Sequence, residues 1–72
     1  IMTIAEKLIH LRANASLSQL DLANALKVSR QSVSKWEKGE CVPSLDKALE
    51  LCNLFKISID ELVNESIVIN KK

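Results

Sequence analysis

The chain is expected to fold as a compact all-α domain of five helices, with a short tail behind it. Three observations predict this. Apolar residues recur at three- and four-residue spacing almost throughout, and nothing before the tail alternates as a strand does. Helix-capping residue types stand where the periodic stretches begin, at Thr3, Ser18, Ser29, Ser44 and Ser58. A length of 72 residues admits one domain near the lower size limit for a self-sufficient core, with no room for a catalytic domain beside it. The expected domain spans residues 2–65 and the tail residues 66–72. Ile1, ahead of Met2, reads as an added residue and is set aside.

The first helix opens on Thr3 and Glu6, spaced as a capping box, and carries Ile4, Leu8 and Leu11 on one face. It should end near Asn14, a residue type that tolerates the left-handed turn of a helix exit. The second is short, starts after Ser18 with Asp21 in its first turn, and turns Leu22, Ala23 and Leu26 inward. Ser29 is the natural N-cap of a third helix running from Arg30 to about Lys38 and stopped by Gly39. Pro43 and Ser44 launch a fourth, with Leu45, Ala48, Leu49, Cys52 and Phe55 as its expected buried stripe. Ser58 and Glu61 form a second capping box for a short fifth helix, with Ile59 and Leu62 inward. In the tail, Ile67, Val68 and Ile69 are three β-branched residues in a row, a poor helix signal. They could pair as a strand across a dimer, fold back on the core, or begin a linker.

Composition removes several function classes. Hydrophobic residues make up 47% of the chain, yet no apolar run approaches the ~20 residues of a membrane span. Glu6, Lys7, His10 and Arg12 interrupt any signal-peptide pattern, so a soluble, cytoplasmic protein with no membrane partner is expected. Cys41 and Cys52 lack metal-ligand spacing and are read as a loop residue and a small core residue. His10 stands alone as a helix-surface residue. No glycine-rich phosphate loop, nucleophile dyad or metal cluster is present, so no enzyme, no cofactor, no metal and no small-molecule ligand are expected.

Charge distribution points the other way, toward a polyanion. Lys27, Arg30, Lys35 and Lys38 face Glu37 alone between residues 27 and 39. Between residues 40 and 65, Glu40, Asp46, Glu50, Asp60, Glu61 and Glu65 outweigh Lys47 and Lys56. A basic segment beside an acidic one suits a surface that meets a polyanion in one orientation. Within the third helix, a turn of about 100° per residue puts Val33 at the centre of the buried face with Trp36 and Glu37 beside it. Gln31 and Lys35 then lie opposite, and Ser32 and Ser34 at the edges. Glutamine can bond an adenine edge, lysine and arginine a guanine edge or a phosphate, and serine either. Exposed N–H groups at the helix N-terminus add an attraction for phosphate.

The stretch LSQLDLANALKVSRQSVSKWEKGECVPSLDKALELCNLFKISIDEL resembles the Cro/CI-like helix-turn-helix domains, the lambda-repressor-like fold also called the XRE family. The similarity covers about residues 4 to 63. It implies that helices 2 and 3 form the helix-turn-helix and that helix 3 enters the DNA major groove. By that resemblance Gln19, Ser29, Arg30, Gln31, Ser32, Ser34, Lys35 and Lys38 form the DNA-binding set, with Gln19 on phosphate and able to support base reading. Lys38, and with it Lys27, would meet the backbone. Arg12 and Glu37 would pair, and Trp36 would be a packed wedge under helix 3. Family members often place glycine after helices 1, 2 and 4, where this chain has Ser16, Lys27 and Lys56. Leu20 is an apolar residue where the outer face of helix 2 is commonly charged.

The expected function is sequence-specific binding of double-stranded DNA by a bacterial or phage transcription regulator, a repressor acting as a homodimer on a palindromic operator. The candidate dimer surface is Ile59, Leu62, Val63, Ile67, Val68 and Ile69. A second reading stays open, a protein-binding adaptor such as an antitoxin or antirepressor built on the same fold.

Overall fold

The computed structural model describes residues 1–69. Five helices follow one another: α1 (Ile4–Asn14), α2 (Gln19–Leu26), α3 (Arg30–Glu37), α4 (Leu45–Phe55) and α5 (Ile59–Val63). Each begins at the hydroxyl residue the sequence offers. The side chains of Thr3, Ser18, Ser29, Ser44 and Ser58 accept from the backbone N–H three residues on. Full capping boxes form at Thr3 with Glu6, at Ser58 with Glu61, and also at Ser18 with Asp21. The shorter aspartate closes that last box at 2.9 Å in both directions.

Four helix exits share one geometry. Ser16, Lys27 and Lys56 each adopt φ 58°, and Gly39 adopts φ 75°. The next residue then donates its N–H back across the last turn: Leu17 to Arg12, Val28 to Ala23, Glu40 to Lys35, and Ile57 to Cys52, all at 3.0–3.1 Å. These bonds satisfy helix-end carbonyls in the manner of the Schellman motif. The left-handed residue of the first exit is Ser16, not Asn14. Three of the four positions carry a side chain, at a cost of about 1 kcal/mol each.

The helices enclose one core. α3 packs on α1 and α2, α4 on α2 and α5, and α5 returns to α1. Leu8, Leu22, Val33 and Leu51 are fully buried, with Leu11, Leu26, Trp36 and Leu62 almost so. The α4 stripe is turned relative to expectation: Ala48, Leu51 and Cys52 are buried and Phe55 packs against them, while Leu45 is 69% and Leu49 48% exposed. Leucines satisfy helical spacing on two adjacent rows of α4, and the placement of α2 and α5 selects the row containing Leu51. Ile59, expected inward, is 38% exposed.

Residues 66–69 return to the core. Ile69 is buried and its N–H points to the Met2 sulfur, while the Met2 N–H donates to the Glu65 carbonyl at 2.9 Å. Asn70, Lys71 and Lys72, the end of the expected tail, lie outside the described residues. Leu62 and Ile69 therefore leave the candidate dimer surface, because both are spent in the core. A charged residue joins them inside. Lys7 is fully buried and its Nζ donates to the Glu61 and Asn64 carbonyls at 2.6 Å each, clasping the end of α5 to α1. Lys47 does the same for α2, donating to the Leu26 carbonyl at 2.7 Å.

Candidate nucleic-acid interface

Three residues, Lys27, Val28 and Ser29, separate α2 from α3. The left-handed Lys27 turns the chain sharply, and the Ser29 Oγ caps the next helix by accepting from the Ser32 N–H at 3.1 Å. Val33 and Trp36 then anchor the inner side of α3. The outer side follows from helical geometry: Gln31 and Lys35 are exposed one turn apart, with Ser32 and Ser34 half-buried at the edges. Trp36, 6% exposed, is a wedge beneath the helix and has no free face for a base.

Polar contacts fix this helix at both ends. The Arg12 Nε donates to Glu37 Oε2 at 2.6 Å and its Nη2 to Oε1 at 3.1 Å, a two-pronged ion pair. The Arg12 Nη1 also donates to the Leu17 carbonyl at 2.9 Å, which ties the pair to the α1–α2 turn. The hydrogen bond to Glu37 outweighs partial burial and raises the Arg12 pKa, so the charge is permanent. Glu37 Oε1 accepts a further bond, from Gln19 Nε2 at 2.9 Å. The Gln19 Oε1 in turn accepts from Arg30 Nη1 at 3.1 Å.

Of the residues singled out in the sequence, Arg30, Gln31, Ser34, Lys35 and Lys38 come together around one shallow open depression on the outer face of α3. Glu40 sits on its rim, an acidic neighbour the sequence reading did not include. Gln19 lies beside Arg30 at the edge of this surface. Ser29 and Ser32 stand apart at the N-terminal edge, where their hydroxyls lie 3.1 Å from each other. Leu20 is 54% exposed on α2. The Gln19 bridge between Arg30 and Glu37 is absent from any sequence pattern, since it joins positions 18 and 11 residues apart through a tertiary turn.

The outer α3 face thus carries cations, an amide and hydroxyls, set after a three-residue turn on a short α2. A family model described as "Helix-turn-helix" matches residues 8–62. The chain belongs to the helix-turn-helix family. Within it the match is of the XRE type, a family of transcriptional regulators and not of enzymes. Among helix-turn-helix relatives, the transcriptional activator BcrR of Enterococcus faecalis is 40% identical over 63 residues, 88% of this chain and 31% of that protein. The regulator DicA of Escherichia coli is 37% identical over 57 residues, covering 79% of this chain and 42% of its own length. The chain thus spans well under half of either relative. In solved structures, the P22 c2 repressor bound to a synthetic operator superposes with a TM-score of 0.84 at 25% identity, over 90% of this chain and 98% of that one. A transcriptional regulator from Listeria innocua gives 0.83 at 30% identity, over all of this chain and 65% of its own. Both share the five-helix lambda-repressor-like fold. Among the described residues, no helix is long and apolar enough to cross a membrane.

Proposed function

We propose that this chain is the sequence-reading, double-stranded DNA-binding module of a cytoplasmic transcription regulator, a repressor acting as a dimer on a palindromic operator. The observation that carries the reading is the outer face of α3. Arg30, Gln31, Ser34, Lys35 and Lys38 converge there on one depression, while Val33, Trp36 and the Arg12–Glu37 pair hold the helix rigidly from behind. Phosphate contacts from Lys38 and the N-terminal serines set register and supply salt-dependent affinity; Gln31, Lys35 and Arg30 discriminate base edges. The P22 c2 repressor, solved in complex with a synthetic operator, shares this fold and supports double-stranded DNA as the partner.

The reach of one domain calls for a second copy. The longest extent of the domain is 29 Å, short of the ~34 Å between successive major-groove faces on one side of the duplex. One copy reads one half-site, and a specificity ratio useful in a genome calls for two. Ile59, Val63 and Val68 are exposed and Ile67 half-exposed, an apolar surface around α5 for the second copy.

The test is a Gln31→Ala, Lys35→Ala double variant. Specific operator binding should be lost while the helical circular dichroism stays unchanged. Retained operator affinity refutes the assignment of α3.

A further inference from the structure

One side chain of the DNA-facing surface has the wrong sign for that partner. Glu40 lines the same depression as Arg30, Lys35 and Lys38. Its place there is fixed by the backbone: Gly39 turns the chain with φ 75°, and the Glu40 N–H donates to the Lys35 carbonyl at 3.0 Å. The carboxylate is therefore kept at the rim as long as α3 keeps its last turn.

Nothing in the fold accounts for a carboxylate at this place. Glu40 is exposed, and among the described residues its side chain is in no ion pair and no hydrogen bond, although three cations line the same depression. It stands just past the C-terminal end of α3, where the helix dipole favours a cation. A phosphate strand favours a cation there as well. Glu40 thus cancels part of the positive charge that the depression would otherwise offer to a polyanion.

The cost of that cancellation depends on how DNA is bound. Sequence-blind binding rests on phosphate attraction, so a strand is drawn to where the cations are densest. That place is the depression, and the strand meets Glu40 on its rim. In base-reading binding, Gln31 and Lys35 point at base edges on the floor of a groove about 12 Å wide, with the strands at its sides. Most of the depression then faces base edges, which carry no full charge. The carboxylate penalises the first arrangement more than the second.

Resting on the DNA reading above, we infer that Glu40 is a specificity-determining residue that works by repulsion: it weakens backbone-only binding and leaves base-directed binding nearly intact. Specificity is a difference between two affinities, and a group that lowers the unwanted one raises it without touching a base.

The test uses a site selected by the wild-type chain from random duplex DNA, and a shuffled duplex of the same length and composition. Affinity for each is measured by fluorescence anisotropy over a range of salt concentrations. Glu40→Gln keeps the shape and removes the charge. It should bind the shuffled duplex roughly fivefold more tightly, the worth of one unit charge close to another in water, and the selected site less than about twofold more tightly. On the shuffled duplex the slope of log affinity against log salt should steepen by about 0.9, the equivalent of one further phosphate. Glu40→Asp, which keeps the charge, should retain the wild-type ratio of the two affinities. Equal tightening on both duplexes would make Glu40 a general brake and overturn the inference. So would no change on either, or weaker binding of the selected site traced to a single cytosine, since the carboxylate would then read a base amine. If the wild-type chain selects no sequence, the DNA reading itself fails, and the inference with it, before any variant is compared.

Discussion

Replacing Glu37 with alanine strands Arg12. The guanidinium loses two bonds, at 2.6 and 3.1 Å, and Gln19 loses its 2.9 Å acceptor. Removing one partner of a fully buried ion pair costs roughly 3–5 kcal/mol. Two features lower that figure here: the Arg12 side chain is 19% exposed, and it keeps its bond to the Leu17 carbonyl. A loss of about 2–3 kcal/mol follows, out of a total stability of roughly 4–11 kcal/mol for a domain of this length. At about 4–8 °C per kcal/mol for small domains, the melting temperature should fall by roughly 10–20 °C. Thermal and urea unfolding followed by circular dichroism measure both quantities. A control separates the stranded charge from the lost packing: Arg12→Met together with Glu37→Met leaves no unpartnered ion and should recover most of the loss. A Glu37→Ala variant melting within about 3 °C of wild type would refute the reasoning, since the pair would then be exposed in solution.

Lys7→Met should destabilise by about 1–3 kcal/mol, measured by urea unfolding, because the Glu61 and Asn64 carbonyls lose their buried donor. Lys56→Gly should stabilise by about 0.5–1 kcal/mol in the same assay, since glycine takes a positive φ without strain. Acid should weaken the fold through its capping boxes. Backbone hydrogen bonds from Thr3 and Ser18 hold Glu6 and Asp21 below their ordinary values of 4.5 and 3.8. A depressed folded-state pKa gives stability that is complete above the unfolded value and is lost as pH falls through the folded one. The melting temperature should therefore drop as pH falls below about 4.5, and less steeply in a Glu6→Gln, Asp21→Asn variant.

Local chemistry made most of this fold readable in advance. Hydroxyl caps, carboxylates three residues later and helical spacing are short-range signals, and all five helices begin where those residues place them. The outer face of α3 was equally legible, because Val33 at the centre of the inner face dictates where Gln31 and Lys35 point. Long-range choices were not. The two leucine rows of α4 are equivalent by spacing, and only the positions of α2 and α5 favour Leu51 over Leu45 and Leu49. Ile69 counts as surplus apolar area in a list of residues, yet residues 66–69 fold back and spend it in the core, where Leu62 of α5 is buried as its helical spacing predicts. Lys7 reads as a surface lysine on an amphipathic helix; its burial depends on the carbonyls at the end of α5, 54 and 57 residues away.

The central claim is that the outer face of α3 reads DNA sequence. Selection from a random duplex pool at physiological salt, followed by sequencing of what the protein retains, tests it most directly. An enriched inverted repeat with half-site centres about one helical turn apart, or a multiple of it, is the expected result. Retention that ignores sequence, or no retention, would contradict it.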